Sequence, residues 1–143
     1  MAAAARVLSP LEPAILARAV EALADRHPVL RAAVRESPDG LVLDVAAGRR
    51  PVLAVEDRPT VPDEVLSDLL AREARRPFDL AVGPLCRLTL VRPPSGTDER
   101  PPVLLLVLHH VVCDFRSVAV LVRDLALLYR REAEGGAPEL PGL

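Results

Sequence analysis

The sequence predicts an α/β domain in which helices pack on a mixed β-sheet. Short apolar runs of strand length alternate with amphipathic stretches of helical period, and polar Pro- and Gly-rich turns separate them. At 143 residues the chain is the size of one domain. The elements are expected in the order β-α-β-β-β-α-β-β-α.

The N-terminal half is expected to begin with a strand over residues 3–8 and then a helix. The helix begins either at a capping box formed by Ser9 and Glu12 or slightly later, at Pro13. It ends near His27, because a residue that precedes proline avoids the α region. Three strands follow, the first two joined by the turn sequence SPDG: 29–35, 41–45 and 51–55.

The C-terminal half combines two amphipathic helices with two apolar strands. Helices are expected over 63–75 and 115–134, and strands over 85–91 and 103–108. The last strand, VLLLVL, is apolar at every position, which predicts a central strand covered on both faces. The polar turn before it is expected to be exposed, and residues 136–143 are expected to form a tail or linker.

The composition argues against several classes of function. With 18 basic and 20 acidic residues the formal net charge is -2, and no basic stripe is present for nucleic acid or anionic lipid. Every basic residue is an arginine, so no lysine can form a Schiff base. No apolar stretch approaches the roughly 20 residues that cross a bilayer. Neither a nucleic-acid partner nor a membrane is expected.

The sequence HHVVCD, residues 109–114, directly follows the apolar strand. Because side chains alternate along a strand, His109 and His110 should point in opposite directions, one into the protein and one toward a cleft. A projecting imidazole can take a proton from an attacking amine or hydroxyl near neutral pH. Asp114 stands where an N-cap of the next helix is expected. Alternatively, both histidines are structural and Asp114 is only a cap.

Two other uses of this segment are disfavoured. A metal site formed by His109, His110 and Cys113 would need adjacent strand residues to point the same way. Cys113 lies among valines, where a cysteine is usually a small core residue and not a nucleophile. With Cys86 it makes no disulfide framework, and no signal-like segment is seen, so the chain is expected to be reduced and cytoplasmic.

Three segments together resemble the condensation-domain superfamily of non-ribosomal peptide synthetases, whose relatives include chloramphenicol acetyltransferase. LHHVVCDFRS resembles the HHxxxDG signature, RHPVLRAAV (26–34) is similar to the RHExLRTxF segment, and RPFDLAVGPLCRLTL (76–90) is similar to the pFDL-x-x-GPL-x-R stretch. They occur in the family's order and span nearly the whole chain. The resemblance implies a chloramphenicol acetyltransferase-like fold.

The resemblance also implies roles for particular residues. His110, the second histidine, would be catalytic and would deprotonate or position an acceptor amine as it attacks a thioester carbonyl. His109 would be an inward, scaffolding residue. Asp114 would be structural and would pair with Arg31, for which Arg87 is a weaker candidate.

The sequence departs from the family pattern beside the motif. Phe115 stands in place of the signature glycine, which adds bulk at the mouth of the site. With Ser117 it is a candidate for contact with the acceptor. The family's N-terminal S-x-A-Q-x-R motif and its second lobe have no counterpart, so residues 1–135 resemble a truncated N-terminal lobe.

Three functions follow as expectations from the resemblance. The first is amide-bond formation between an acyl thioester and an aminoacyl amine, both held on the phosphopantetheine of carrier proteins, in the biosynthesis of secondary metabolites such as antibiotics. No directly bound cofactor and no metal are expected. The second is acyl transfer to a hydroxyl, as in the polyketide-associated relatives, and the third is a non-catalytic module that binds carrier proteins.

A lone lobe should turn over little, because it loses the orientation of its substrates. It should also associate with a second lobe or with itself, because it exposes apolar surface.

Overall fold

The computed structural model describes residues 1–9, 11–58, 62–93, 100–136 and 142. Within these ranges the elements follow the expected order. They are β1 (Ala2–Arg6), α1 (Pro13–Arg26), β2 (Ala32–Ser37), β3 (Gly40–Val45), β4 (Leu53–Asp57), α2 (Asp63–Arg75), β5 (Cys86–Arg92), β6 (Val103–Leu108) and α3 (Phe115–Glu134). The centre of the expected exposed turn, 94–99, and most of the expected tail lie outside the described residues.

Proline explains two of the element boundaries. α1 begins at the later of the two expected positions, Pro13, and its N-cap Glu12 makes no side-chain cap. The Glu12 N–H instead donates to the hydroxyl oxygen of Tyr129 at 2.9 Å. The second strand was expected from residue 29, but Pro28 opens a 3₁₀ turn over Pro28–Arg31 and the strand begins only afterwards.

The strands form a four-stranded sheet in the order β1-β6-β5-β4 and a separate hairpin of β2 with β3. The larger sheet is mixed, as expected, because β4 pairs with β5 in parallel while its other pairs are antiparallel. β6 lies between β1 and β5, and both of its faces are largely buried. The prediction of a central strand covered on both sides is therefore confirmed.

The main core lies where α1 and α3 pack against β5 and β6. Buried leucines come from all four elements: Leu16 and Leu23 from α1, Leu88 and Leu90 from β5, Leu108 from β6, and Leu128 from α3. No helix in the described part of the chain is long and apolar enough to span a membrane.

Candidate active site

The three motif segments meet in one small apolar cluster. Its buried residues are Ala32, Leu85 and Val112, one from each segment. Val29 and Phe78 pack against it. The cluster therefore joins the start of β2, the segment before β5 and the turn after β6 into one unit around the two histidines.

The glycine of the second segment is required by this close packing. Gly83 has a φ of +63°, in the left-handed region, and a Cβ at this position would lie 2.7 Å from the carbonyl oxygen of Ala32. A side chain is excluded on both grounds. The glycine thus lets the segment before β5 approach the start of β2.

The two histidines lie in a turn, which changes the expected geometry. β6 ends at Leu108, and His110 begins a 3₁₀ turn that continues to Val112. Strand alternation therefore no longer applies, and His109 and His110 line the same groove. In the turn that replaces the strand here, His109 is half-buried and His110 is exposed.

His109 is bonded to the backbone on both sides of the turn. Its N–H donates to the carbonyl of Leu85 at 2.9 Å, and its Nδ1 accepts the N–H of Val111 at 3.2 Å. The ring is half-buried and meets the ring of Phe78 edge-on, with centroids 6.1 Å apart. The bond to Nδ1 leaves the remaining ring proton on Nε2 in the neutral form.

His110 is exposed and lines a groove of about 410 Å³. The wall beside it combines apolar side chains with two arginines from the end of α2: Met1, Phe78, Leu80, Val107, Arg75 and Arg76. Within the described part of the chain the imidazole of His110 has no hydrogen-bond partner. Both ring nitrogens are therefore available to a substrate.

Asp114 caps α3, as its position predicted. Its Oδ1 accepts the N–H of Ser117 at 2.7 Å and the Ser117 hydroxyl at 2.6 Å. These side-chain and backbone hydrogen bonds lower the pKa of Asp114. The carboxylate is thus held in its charged form just after residues 109–112, which we call the histidine turn, and the Ser117 hydroxyl is engaged in the cap.

The expected ion pair between Asp114 and Arg31 is not formed. Arg31 lies in the 3₁₀ turn before β2, and its Nε donates to the carbonyl of Ala24 at 3.1 Å. The Asp114 carboxylate is occupied by the first turn of α3. Capping the helix satisfies it locally, so no distant arginine is required.

Arg87, the weaker candidate for that pairing, supports the groove wall. Its guanidinium donates to the carbonyls of Glu73, Arg76 and Pro77 and stacks 3.9 Å from the ring centre of Phe78. It therefore fixes the end of α2 and the aromatic ring that contacts His109.

The two cysteines are unsuited to nucleophilic chemistry. Cys113 is buried, and its Sγ donates to the carbonyl of His109 at 3.5 Å. Burial raises the pKa of Cys113, and burial raises the pKa of Cys86 to about 12. Both remain thiols near neutral pH, where the thiolate is the reactive form.

Sequence reasoning missed an ionic cluster around Asp124, the one buried charged side chain among the described residues. Its carboxylate accepts Arg26 Nε at 2.8 Å, His27 Nε2 at 2.9 Å, and Arg123 Nε and Nη2 at 2.9 and 2.8 Å. Burial alone would raise the pKa of Asp124, but these hydrogen bonds lower it to about 2.

A signal for this cluster exists in the sequence. Asp124 interrupts the apolar stripe of α3, three residues after Leu121 and four before Leu128. A charge on the buried face of a helix needs a partner of opposite charge. The adjacent Arg26 and His27 of the RHPVLR segment could have been proposed as those partners.

Phe115, in the place of the signature glycine, is the first residue of α3 and is 85% exposed. Its ring does not fill the core, and it does not prevent Asp114 from capping the helix. The fold therefore accommodates phenylalanine at this position.

Comparison with known proteins agrees with the fold and the motifs. The family model for the condensation domain matches residues 1–143. Phosphinothricin tripeptide synthetase PhsB of Streptomyces viridochromogenes is 37% identical over 141 residues, which cover 93% of this chain. The chain therefore belongs to the condensation-domain family.

Solved structures share the same architecture. A double mutant of the starter condensation domain of rhizomide synthetase RzmA superposes with a TM-score of 0.84 over 96% of this chain, at 20% identity. A complex of the X-domain and OxyB from teicoplanin biosynthesis matches with a TM-score of 0.83 over 100% of the chain, at 28% identity. The chain spans 31% and 30% of those structures and 11% of PhsB.

Proposed function

We propose that residues 1–135 are the N-terminal lobe of a condensation domain that joins a carrier-bound acyl thioester to a carrier-bound aminoacyl amine, with 136–143 as a linker. The observation that carries the proposal is the position of His110, exposed in a groove and without a hydrogen-bond partner in the described residues. The αL conformation of Gly135, at φ 64°, ends α3 and supports the lobe boundary.

The chemistry requires one group that can accept a proton. The amine nitrogen attacks the thioester carbonyl carbon, a C–N bond forms, and the C–S bond breaks. The proton lost by the amine passes to His110 and then to the departing thiolate, so the protein is unchanged after one turnover. Imidazole suits this exchange because its ordinary pKa lies near neutrality.

In this proposal His110 acts without a carboxylate that orients its ring. Asp114 is engaged in capping α3, and the backbone of the histidine turn is instead held by His109 and Val112. A rigid turn that presents an unbonded imidazole can orient an acceptor amine, and orientation supplies much of the rate of such a reaction. Carrier proteins with phosphopantetheine and a cytoplasmic location belong to the same proposal.

The test combines this chain with the C-terminal lobe of a condensation domain and measures amide formation between loaded carrier proteins. His110→Ala should lower kcat by about a hundredfold or more, since it removes the proton acceptor. Glu132→Gln, a change in the last turn of α3 away from the groove, is the control and should keep wild-type turnover. Full activity of the His110→Ala complex would contradict the proposal. Offering amine and alcohol acceptors in parallel distinguishes amide from ester formation.

A second candidate is a non-catalytic binding module, which the exposure of Phe115 favours. An 85% exposed aromatic ring in the first turn of α3 is suited to contact with another protein. The similar X-domain from teicoplanin biosynthesis was solved in complex with OxyB. Binding of a carrier protein that is lost in Phe115→Ala, without amide formation in the wild-type complex, would select this function.

A further inference from the structure

Asp124 connects the end of α1 to α3. Arg26 is the last residue of α1 and His27 is its C-cap, and both donate to Oδ2 of this carboxylate, while Arg123 donates to Oδ1. The side chains of Asp124, His27 and Arg26 are 0%, 11% and 19% exposed. A buried carboxylate that accepts hydrogen bonds from two arginines and a histidine holds the two helices in one relative position.

One structural route leads from this cluster to the histidine turn through His27. The ring of His27 borders a groove of about 320 Å³ together with Val112, Asp114 and Ser117. Val29, two residues further along the chain, packs against the apolar cluster that contains Val112. Movement of His27 would therefore reach the residues on which the histidine turn rests.

A second route runs through α3 itself. Asp124 lies roughly three turns along the helix from Asp114, whose cap ends the histidine turn. Because the helix is continuous between them, the anchor at Asp124 and the cap at Asp114 fix the same rigid element. The histidine turn is thus bounded on one side by residues 27–29 and on the other by α3.

We propose that Asp124, with Arg26 and His27, forms a positioning site for His110: this ionic cluster holds the end of α1 against α3 and thereby sets the histidine turn. The inference rests on the proposed function of His110. It assigns these three residues an effect on the geometry of the imidazole beyond a contribution to stability.

The chain provides a matched control for a purely stabilising role. Arg18 Nε and Glu132 Oε2 form another ion pair between α1 and α3, at 3.1 Å, in the last turn of α3. Glu132→Gln removes the charge of this other connection between the same helices without touching the residues around the histidine turn. Asp124→Asn removes the charge of the proposed anchor at nearly constant volume.

The first measurement follows the imidazole ¹³Cε1 resonances of the 143-residue chain, which contains three histidines, assigned with single histidine variants. Asp124→Asn should displace the resonances of His109 and His110 as well as that of His27, whereas Glu132→Gln should leave all three in place. Wild-type resonances of His109 and His110 in Asp124→Asn, or equal displacement by Glu132→Gln, would overturn the proposal.

If Asp124→Asn fails to fold, Arg26→Met answers the same question, because His27 and Arg123 remain on the carboxylate and the side chain keeps its apolar stem. It too should displace the resonances of His109 and His110. Wild-type positions of both resonances in folded Arg26→Met would overturn the proposal.

The second measurement uses the complex with the C-terminal lobe. A misplaced imidazole should lower kcat roughly 10- to 100-fold in Asp124→Asn or Arg26→Met and leave KM within about twofold, since groove residues that bind substrate are unchanged. Wild-type kcat, or an equal loss in Glu132→Gln, would contradict positioning. A wild-type complex without turnover would count against the proposed function alone, because the resonances test positioning independently.

Discussion

At the scale of single residues, environment separates side chains of the same type into different roles. Asp124 is buried and bound by two arginines and a histidine, whereas Asp114 is exposed and caps a helix. His27 is bonded to a buried carboxylate, while His110 projects into a groove without a partner among the described residues. The same side-chain type is thus held by a carboxylate at one position and left, in the described part of the chain, without a hydrogen-bond partner at the other.

The buried carboxylate predicts a pH dependence of stability. The pKa of Asp124 in the folded chain is about 2, below its ordinary value of 3.8. The group therefore contributes stability above pH 4, on the order of 2 kcal/mol, and the contribution is lost as the pH falls toward 2. The check is urea unfolding of wild type and Glu132→Gln at several pH values from 7 to 3. Both should lose stability in parallel, and a folded Asp124→Asn variant should show a shallower decline.

At the scale of elements, the histidine turn depends on β6. This strand is paired on both sides, and its last residue, Leu108, pairs with Cys86 at the start of β5. Leu108 is fully buried in the main core, and the adjacent His109 continues the hydrogen bonding by donating to Leu85. The end of β6 and the histidine turn are thus both held against the start of β5 and the residue before it.

Leu108→Ala is expected to reduce the free energy of unfolding by about 2 to 5 kcal/mol, because it leaves a cavity at the centre of the core. Val42→Ala on the exposed hairpin should change it by no more than about 0.5 kcal/mol. Chemical denaturation followed by circular dichroism measures both. Equal effects of the two substitutions would contradict the assignment of β6 as the central strand.

At the scale of the whole molecule, apolar side chains remain on the surface of the β2–β3 hairpin. Leu41, Val42, Leu43 and Val45 of β3 are all exposed. In the described residues β3 pairs with β2 alone, so its other edge has no strand partner. An apolar strand with an open edge favours association with a further strand.

The isolated chain is therefore expected to self-associate, as the exposed surface of a single lobe predicts. Leu41→Lys with Leu43→Lys should shift the chain toward monomer, because two charges on one face of the strand oppose edge pairing. Val52→Lys, at a residue that is 79% exposed but outside the hairpin, should have no such effect. Sedimentation velocity over a range of concentrations measures the difference, and a monomeric wild-type chain would contradict the expectation.

The sequence by itself determined the element order, the central position of β6 and the Asp114 cap, because periodicity and capping depend on residues close in the chain. α2, β6 and α3 have their expected bounds. The resemblance of three motif segments also identified the family, which the family model confirmed.

The tertiary structure alone decided which residues satisfy the charges around the site. Arg31 and Arg87 bind backbone carbonyls instead of Asp114, and the buried partners are Asp124, Arg26 and His27. It also brought both histidines to one groove, because the chain turns after Leu108. Partners far apart in the chain meet only when helices and strands pack, and the sequence pattern records no distance between them.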